Sequence, residues 1–283
     1  MQPQRTASGQ VHLDPSHTPW RYGPIDGITS GDGTLLMHTG ERAELRLHKG
    51  RLSPGRRYRS ASAEARRELR RLGAIFQLRE RGLFHVHAAG VVGRDGRRAW
   101  LLAGESGSGK STLTYALARA GWRVLGDDGV PIEQVADGVA AHPWREPMQV
   151  SIELSGDFPE LGRYSERVDW SDPRHRAPVS APAGFASATP IGALALIQRS
   201  SRDALTPASP TEVLAALIRQ SPTVLLNDAH AARQLTALAA LVNSVPVFHL
   251  EHSPRQLHLI ATTLTEAACT PDIAPLQTHC SPR

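Results

Sequence analysis

The chain has 283 residues, 40% of them hydrophobic and 21% charged, a globular composition that excludes a disordered or low-complexity polymer. Its 32 basic and 27 acidic residues leave a formal net charge of +5, too small an excess to argue for a nucleic-acid partner. No apolar stretch approaches the roughly 18 residues that cross a bilayer. The first ten residues carry no signal-peptide core, and Cys269 and Cys280 lack metal-ligand spacing. A cytoplasmic protein with no nucleic-acid and no membrane partner is expected. Only Lys49 and Lys110 among the 32 basic residues are lysines, so a lysine is not this chain's ordinary surface charge.

Residues 1–20 read as a polar leader. Thr34 to Met37 and Ala43 to Leu47 read as short strands, and Ser53-Pro54-Gly55 ends a β-rich unit over residues 1–59. From Ser60 to Arg81, Ala65, Leu69, Leu72 and Phe76 recur at helical spacing, and Gly82 is a stop. Nine arginines between Arg56 and Arg81 make the other face basic, either a solvated face or a docking surface for an acidic partner. Two apolar runs, Phe84 to Val92 and Ala99 to Ala103, are joined by six residues, a connection that fits antiparallel neighbours.

Beyond a glycine-rich loop, Ser111 to Ala120 reads as a helix and Trp122 to Leu125 as a strand. Pro131 to Val135 and Val139 to His142 form a second hairpin. Residues 156–189, rich in Pro, Ser, Gly and charge, read as a long functional loop able to close over a site. Ile191 to Ile197 and Val245 to Leu250 are strands, and Ala229 to Val242 a helix. Ser209-Pro210-Thr211-Glu212 and Ser253-Pro254-Arg255-Gln256 each read as a capping box opening a helix, the second running to about Ala268 before a tail over 269–283.

Gly104-Glu105-Ser106-Gly107-Ser108-Gly109-Lys110-Ser111 fits G-x-x-x-x-G-K-[ST] at every position, after an apolar strand and before an amphipathic helix. Glycines let backbone N–H groups wrap a phosphate chain, and the helix N-terminus adds partial positive charge. Lys110 would reach the β- and γ-phosphates and Ser111 would offer an oxygen to Mg²⁺. Residues 104–112, including Thr112, are thus expected to bind a nucleoside triphosphate, ATP by default. Asp127 and Asp128 end the strand after the loop's helix, placed for a general base and a metal ligand. Arg145 is a candidate for positive charge near the transferred phosphate.

His87, the strand pair, the loop, the helix ending in Ala120-Gly121, and Val124-Leu125-Gly126-Asp127-Asp128 together resemble the catalytic core of HPr kinase/phosphorylase and its relatives. The resemblance is strong over about residues 83–132 and weaker to about 265. It implies an α/β fold with a mixed-sheet P-loop core, similar also to phosphoenolpyruvate carboxykinase, with the small β-rich N-terminal unit outside a kinase domain over 60–268. Carried onto this chain, it implies Asp127 as the base, Lys110 and the loop on ATP, and His87 beside the phosphates. It implies Ser111, Asp128 and Glu153, 26 residues beyond Asp127, on Mg²⁺.

The nearest branch phosphorylates a serine of a ribosomally made precursor such as a lasso peptide. The expected partner is therefore a peptide or protein bearing a serine, and a homo-oligomer is within the family's range. An acceptor could lie between the basic helix face and the arginines of 156–189, its serine directed at Asp127. The chain departs from HPr kinases in carrying Thr112 where they have an acidic residue, and in lacking their arginine- and glycine-rich motif after the metal glutamate. A small-molecule P-loop kinase and an HPr-type serine kinase/phosphorylase are the alternatives. Leu154-Ser155-Gly156-Asp157 is not the signature an ABC-type ATPase would need.

Overall fold

The computed structural model describes residues 17–170, 172–226, 229–253, 260, 263 and 264. Most of the leader, residues 254–256 of the second capping box, nearly all of the helix after it, and the tail with both cysteines lie outside the described residues. The chain divides into two compact units, one of residues 1–83 with 225–230, the other of 84–224 and 231 onward. The division expected between residues 59 and 60 therefore falls some 24 residues later, after the arginine-rich helix.

The first unit is an antiparallel meander of β1 (His17–Tyr22), β2 (Ile25–Ser30), β3 (Leu35–Thr39), β4 (Glu44–His48) and β5 (Arg51–Pro54), in that spatial order. The end of the polar leader is thus an edge strand, paired with β2 from His17↔Ser30 to Tyr22↔Ile25. Alternation puts Leu35, Met37, Leu45 and Leu47 on one buried face. Helix α1 (Ala63–Glu80) lays Ala65, Leu69, Leu72 and Phe76 on that face, which is why it belongs to this unit. Ser62 caps it by accepting the Ala65 N–H at 3.1 Å. Gly82, at φ +80°, ends the segment in the left-handed region, as a glycine stop requires.

The second unit is built on a mixed sheet. β6 (Phe84–Val86), β10 (Val130–Val135), β11 (Gly138–Ala141), β14 (Thr189–Arg199), β8 (Ala99–Ala103), β7 (Ala88–Val92) and β9 (Arg123–Gly126) are hydrogen-bonded in that order. β16 (Val247–His252) pairs parallel to β14, and β15 (Ala204–Pro207) pairs antiparallel to β16. β8 is parallel to β14 and antiparallel to β7, so the hairpin expected before the loop forms, from Ala88↔Ala103 to Val92↔Ala99.

One expected strand, 84–92, is two: the chain changes partners at His87, β6 going to β10 and β7 to β8 and β9. Side chains of β8 alternate between two cores. Trp100 and Leu102 pack with Leu113 and Leu117 of α2 (Lys110–Arg119). Ala99, Leu101 and Ala103 pack with Val213 and Leu217 of α3 (Pro210–Arg219) and with Leu238 and Leu241 of α4 (Ala229–Ser244). Ser209 makes no side-chain cap to α3, and Glu212 bonds His249 at 3.1 Å instead of closing the expected capping box.

The stretch expected as a loop over 156–189 is largely ordered. Short 3-10 segments cover Ile152–Gly156 and Pro159–Arg167, and β13 (Arg176–Val179) pairs with β12 (Met148–Ser151). Buried Phe158, Leu161, Tyr164 and Val168 anchor it to the α2 side of the core. These apolar residues are too sparse and irregular to declare a helix or strand in a window dominated by Pro, Ser and Gly.

Candidate functional site

β8, β14, β16 and β9 all run the same way, so their carboxyl ends gather at one end of the sheet. β8 delivers the 104–109 loop, β14 Arg199, β16 His252, and β9 the Asp127-Asp128 pair. Antiparallel β7 starts at that end, which puts His87 there too. Carboxyl ends of parallel strands are where open α/β sheets place ligands.

The loop turns through Gly107 and Gly109, at φ +91° and +98°, conformations that strain any residue with a Cβ. Gly109 is also confined from outside, since a Cβ there would lie 2.6 Å from the His252 ring. Gly104 is packed as closely, a Cβ there lying 2.7 Å from the Ile197 carbonyl oxygen. The Ser108 N–H closes the turn on the Glu105 carbonyl at 3.1 Å. Glu105, Ser106 and Gly107 are exposed, while Gly109, Lys110 and Thr112 are buried. Gly109→Ala should cost about 1–3 kcal/mol of stability, from the left-handed backbone and the ring behind it. Urea unfolding would read it as a fall in midpoint.

Lys110 is only 7% exposed. Its Nζ donates to the carbonyls of Gly104 at 2.6 Å and Glu105 at 3.2 Å. Burial pushes the ammonium pKa below its ordinary value, against the pull of the Asp128 and Asp127 carboxylates. Asp127 is 5% exposed. Its Oδ2 accepts the Gln149 N–H at 3.0 Å, and its Oδ1 is buried without a hydrogen-bond partner. Burial raises this carboxyl to about 6, opposed by the Gln149 N–H, the nearby Ser111 hydroxyl and Lys110. The buried open oxygen beside Ser111 and the cradle too tight for a Cβ at 104 and 109 fit a magnesium-bound triphosphate.

Asp128 is about half exposed, with Oδ1 3.3 Å from His87 Nδ1. The same nitrogen lies 3.1 Å from the Asp128 carbonyl oxygen, which can only accept, so Nδ1 carries the proton. His87 is therefore a partner of Asp128 and, with its side chain 31% exposed, not a core histidine. Glu153 is not gathered with the aspartates. Its carboxylate pairs with His175 at 3.0 Å and is two-thirds exposed, and among the described residues no three His, Cys, Asp or Glu side chains form a metal cluster.

Arg145 is exposed. Two other guanidinium groups reach the loop: Arg174 donates to Ser106 Oγ at 3.0 Å, and Arg199 Nε would lie 3.5 Å from a Cβ on Gly109. Sequence reasoning missed the placement of Arg174, Arg199 and His252. Arg174 had a signal, being in the arginine-bearing segment expected near the site; His252 had none, because strand pairing alone brings it under the loop.

No protein-family model and no curated protein matches the chain. Among solved structures, it is similar to the Hpr(Ser) kinase/phosphatase from Coxiella burnetii, with a TM-score of 0.35 and 14% sequence identity over 65% of this chain and 94% of that one. Among the described residues no helix is long and apolar enough to cross a membrane.

Proposed function

We propose that this protein is a magnesium- and ATP-dependent kinase that phosphorylates a serine hydroxyl of a peptide or protein. One observation carries the reading: Lys110 in the loop and the buried, open carboxylate oxygen of Asp127 meet at the same strand ends, with Ser111 between their roles. The backbone N–H groups of 104–109 and the start of α2 bind the phosphates, and Lys110 exchanges its two carbonyl partners for phosphate oxygens. Asp127, with a pKa near 6, is ionised at neutral pH yet basic enough to take the serine proton. The serine oxygen bonds to the γ-phosphorus, the bond from that phosphorus to the β–γ bridging oxygen breaks, and ADP leaves with the electron pair. Ser111 and Asp128 would hold Mg²⁺, which when bound offsets the charge on the phosphates.

Arg174 adds positive charge at the rim of the loop. Trp170, four residues earlier in the chain, is 65% exposed, its ring 5.2 Å from that of His175. An exposed aromatic in the segment that brings Arg174 to the loop suits an extended peptide better than a small polyol, and a ribosomally made precursor, such as one of lasso type, is the acceptor we propose. The deciding experiment is transfer of labelled γ-phosphate to serine peptides, to HPr-like proteins and to small hydroxyl compounds in parallel. Label on the small compounds alone would replace the peptide reading with the small-molecule one.

The basic face of α1 is a separate matter. Arg66 donates to the Arg59 and Ala61 carbonyls, at 3.2 and 2.6 Å, and so braces the chain before the helix. Arg67 and Arg70 are exposed. Reversing those two charges should raise the apparent KM for an acidic peptide a few-fold, more at low salt, with kcat unchanged. Identical peptide kinetics in the double variant would return this face to plain solvation.

A further inference from the structure

His252 ends β16 and is 1% exposed. Its Nε2 lies 2.8 Å from the Ser108 carbonyl oxygen. A carbonyl has no proton to give, so Nε2–H is the donor and the ring, when neutral, keeps its lone pair on Nδ1. That Nδ1 is buried without a hydrogen-bond partner. The same ring occupies the space a Cβ on Gly109 would need. The imidazole therefore touches both halves of one peptide unit, the carbonyl of Ser108 and the α-carbon of Gly109. In a planar trans peptide the C=O and N–H point opposite ways. Holding the Ser108 carbonyl toward the imidazole turns the Gly109 N–H away from it, as a phosphate cradle requires.

We propose that His252 is a positioning residue for the phosphate loop, its Nε2–H fixing the Ser108–Gly109 peptide so that the Gly109 N–H is presented to a phosphate oxygen. The proposal rests on the reading of 104–111 as a phosphate loop. Its charged neighbours are Arg199, at the end of β14, and Asp203, whose Oδ1 accepts the Ser253 N–H at 2.6 Å. Burial, with Arg199, holds the imidazole pKa below its ordinary value, and the Ser108 bond and Asp203 pull the other way. Glycine at 109 then answers two demands, a left-handed backbone and room for the ring.

The test compares His252→Leu, which fills space without a donor, with His252→Gln, whose amide nitrogen can reach the position of Nε2. Hydrogen exchange of the nucleotide-free protein over 104–111 reads the loop directly, and calorimetric titration with Mg-ATP reads the consequence. The leucine variant should exchange about tenfold faster over this segment and bind Mg-ATP about tenfold more weakly, as for one buried carbonyl left without its donor. The glutamine variant should restore both to within about threefold. A leucine variant with wild-type exchange, or a glutamine variant as impaired as leucine, overturns the proposal. A wild-type chain with no affinity for Mg-ATP removes the nucleotide reading, while the exchange comparison still decides whether His252 holds the loop. If the leucine variant does not fold, the ¹⁵N shifts of His252 in the intact protein decide, because an Nδ1–H tautomer is incompatible with the bond to Ser108.

Discussion

Lys110→Ala is expected to abolish phosphoryl transfer, with a fall in kcat on the order of 10³-fold or more, and to leave the fold standing. Charge stabilisation at the transferred phosphoryl group is worth this much where a single cation supplies it. The fold should survive because burial already works against the ammonium, whose only hydrogen-bond partners in the loop are the Gly104 and Glu105 carbonyls. Thermal unfolding separates the two effects. At a hundredfold excess of Mg-ATP over its Kd, the wild type should gain about 2.7 kcal/mol by mass action, on the order of 5–10 °C in Tm. The variant should gain little. Near wild-type turnover in Lys110→Ala would remove the phosphate-loop assignment.

Asp127→Asn should lower turnover by about 10²–10⁴-fold while nucleotide binding is kept, since the substitution removes a base and not the cradle. The same variant makes an opposite prediction for stability. The Asp127 carboxyl is raised from 3.8 to about 6, so the folded protein holds that proton more tightly than the unfolded chain does. Wild-type stability should therefore fall as pH rises from about 4 to about 6 and then level off. Asparagine has no such titration and can still accept the Gln149 N–H. Without nucleotide, the variant should be more stable than wild type at pH 8 by roughly 3 kcal/mol, and the gap should close near pH 4. Unfolding midpoints at the two pH values measure it. A variant less stable at pH 8 would mean that Gln149 and Ser111 hold the carboxylate more strongly than burial opposes it. Asp128→Asn should shift the magnesium dependence instead. Should Asp127→Asn raise only the magnesium requirement, with turnover intact at saturation, the two aspartates exchange roles.

Local sequence determined much of this molecule. The glycines at 104, 107 and 109, the lysine after them and the apolar strand before them specify the loop, because the left-handed backbone at 107 and 109 demands glycine and close packing at 104 leaves no room for a Cβ. Six residues between two apolar runs specify the β7–β8 hairpin, since a connection that short has no room for a crossover. The helical period over 63–80 was equally legible, but not its allegiance: its apolar face fits any apolar sheet, and only packing assigned it to β3 and β4.

Tertiary structure decided whatever depends on strand order. A run such as 247–252 is apolar enough to be a strand in any sequence reading, yet nothing local says that it pairs with β14 and brings His252 to the Ser108 carbonyl. The same holds for Arg174, placed at Ser106 by an irregular segment anchored through a few scattered apolar residues. Asp127 was named from its position after a strand, but its raised pKa comes from burial in the folded protein, opposed by the N–H of Gln149, 22 residues away. Glu153 is the reverse case: a spacing that matched in sequence led to a carboxylate that the fold pairs with His175. Spacing along a chain is preserved only within one element, and across elements the sheet register sets the distance.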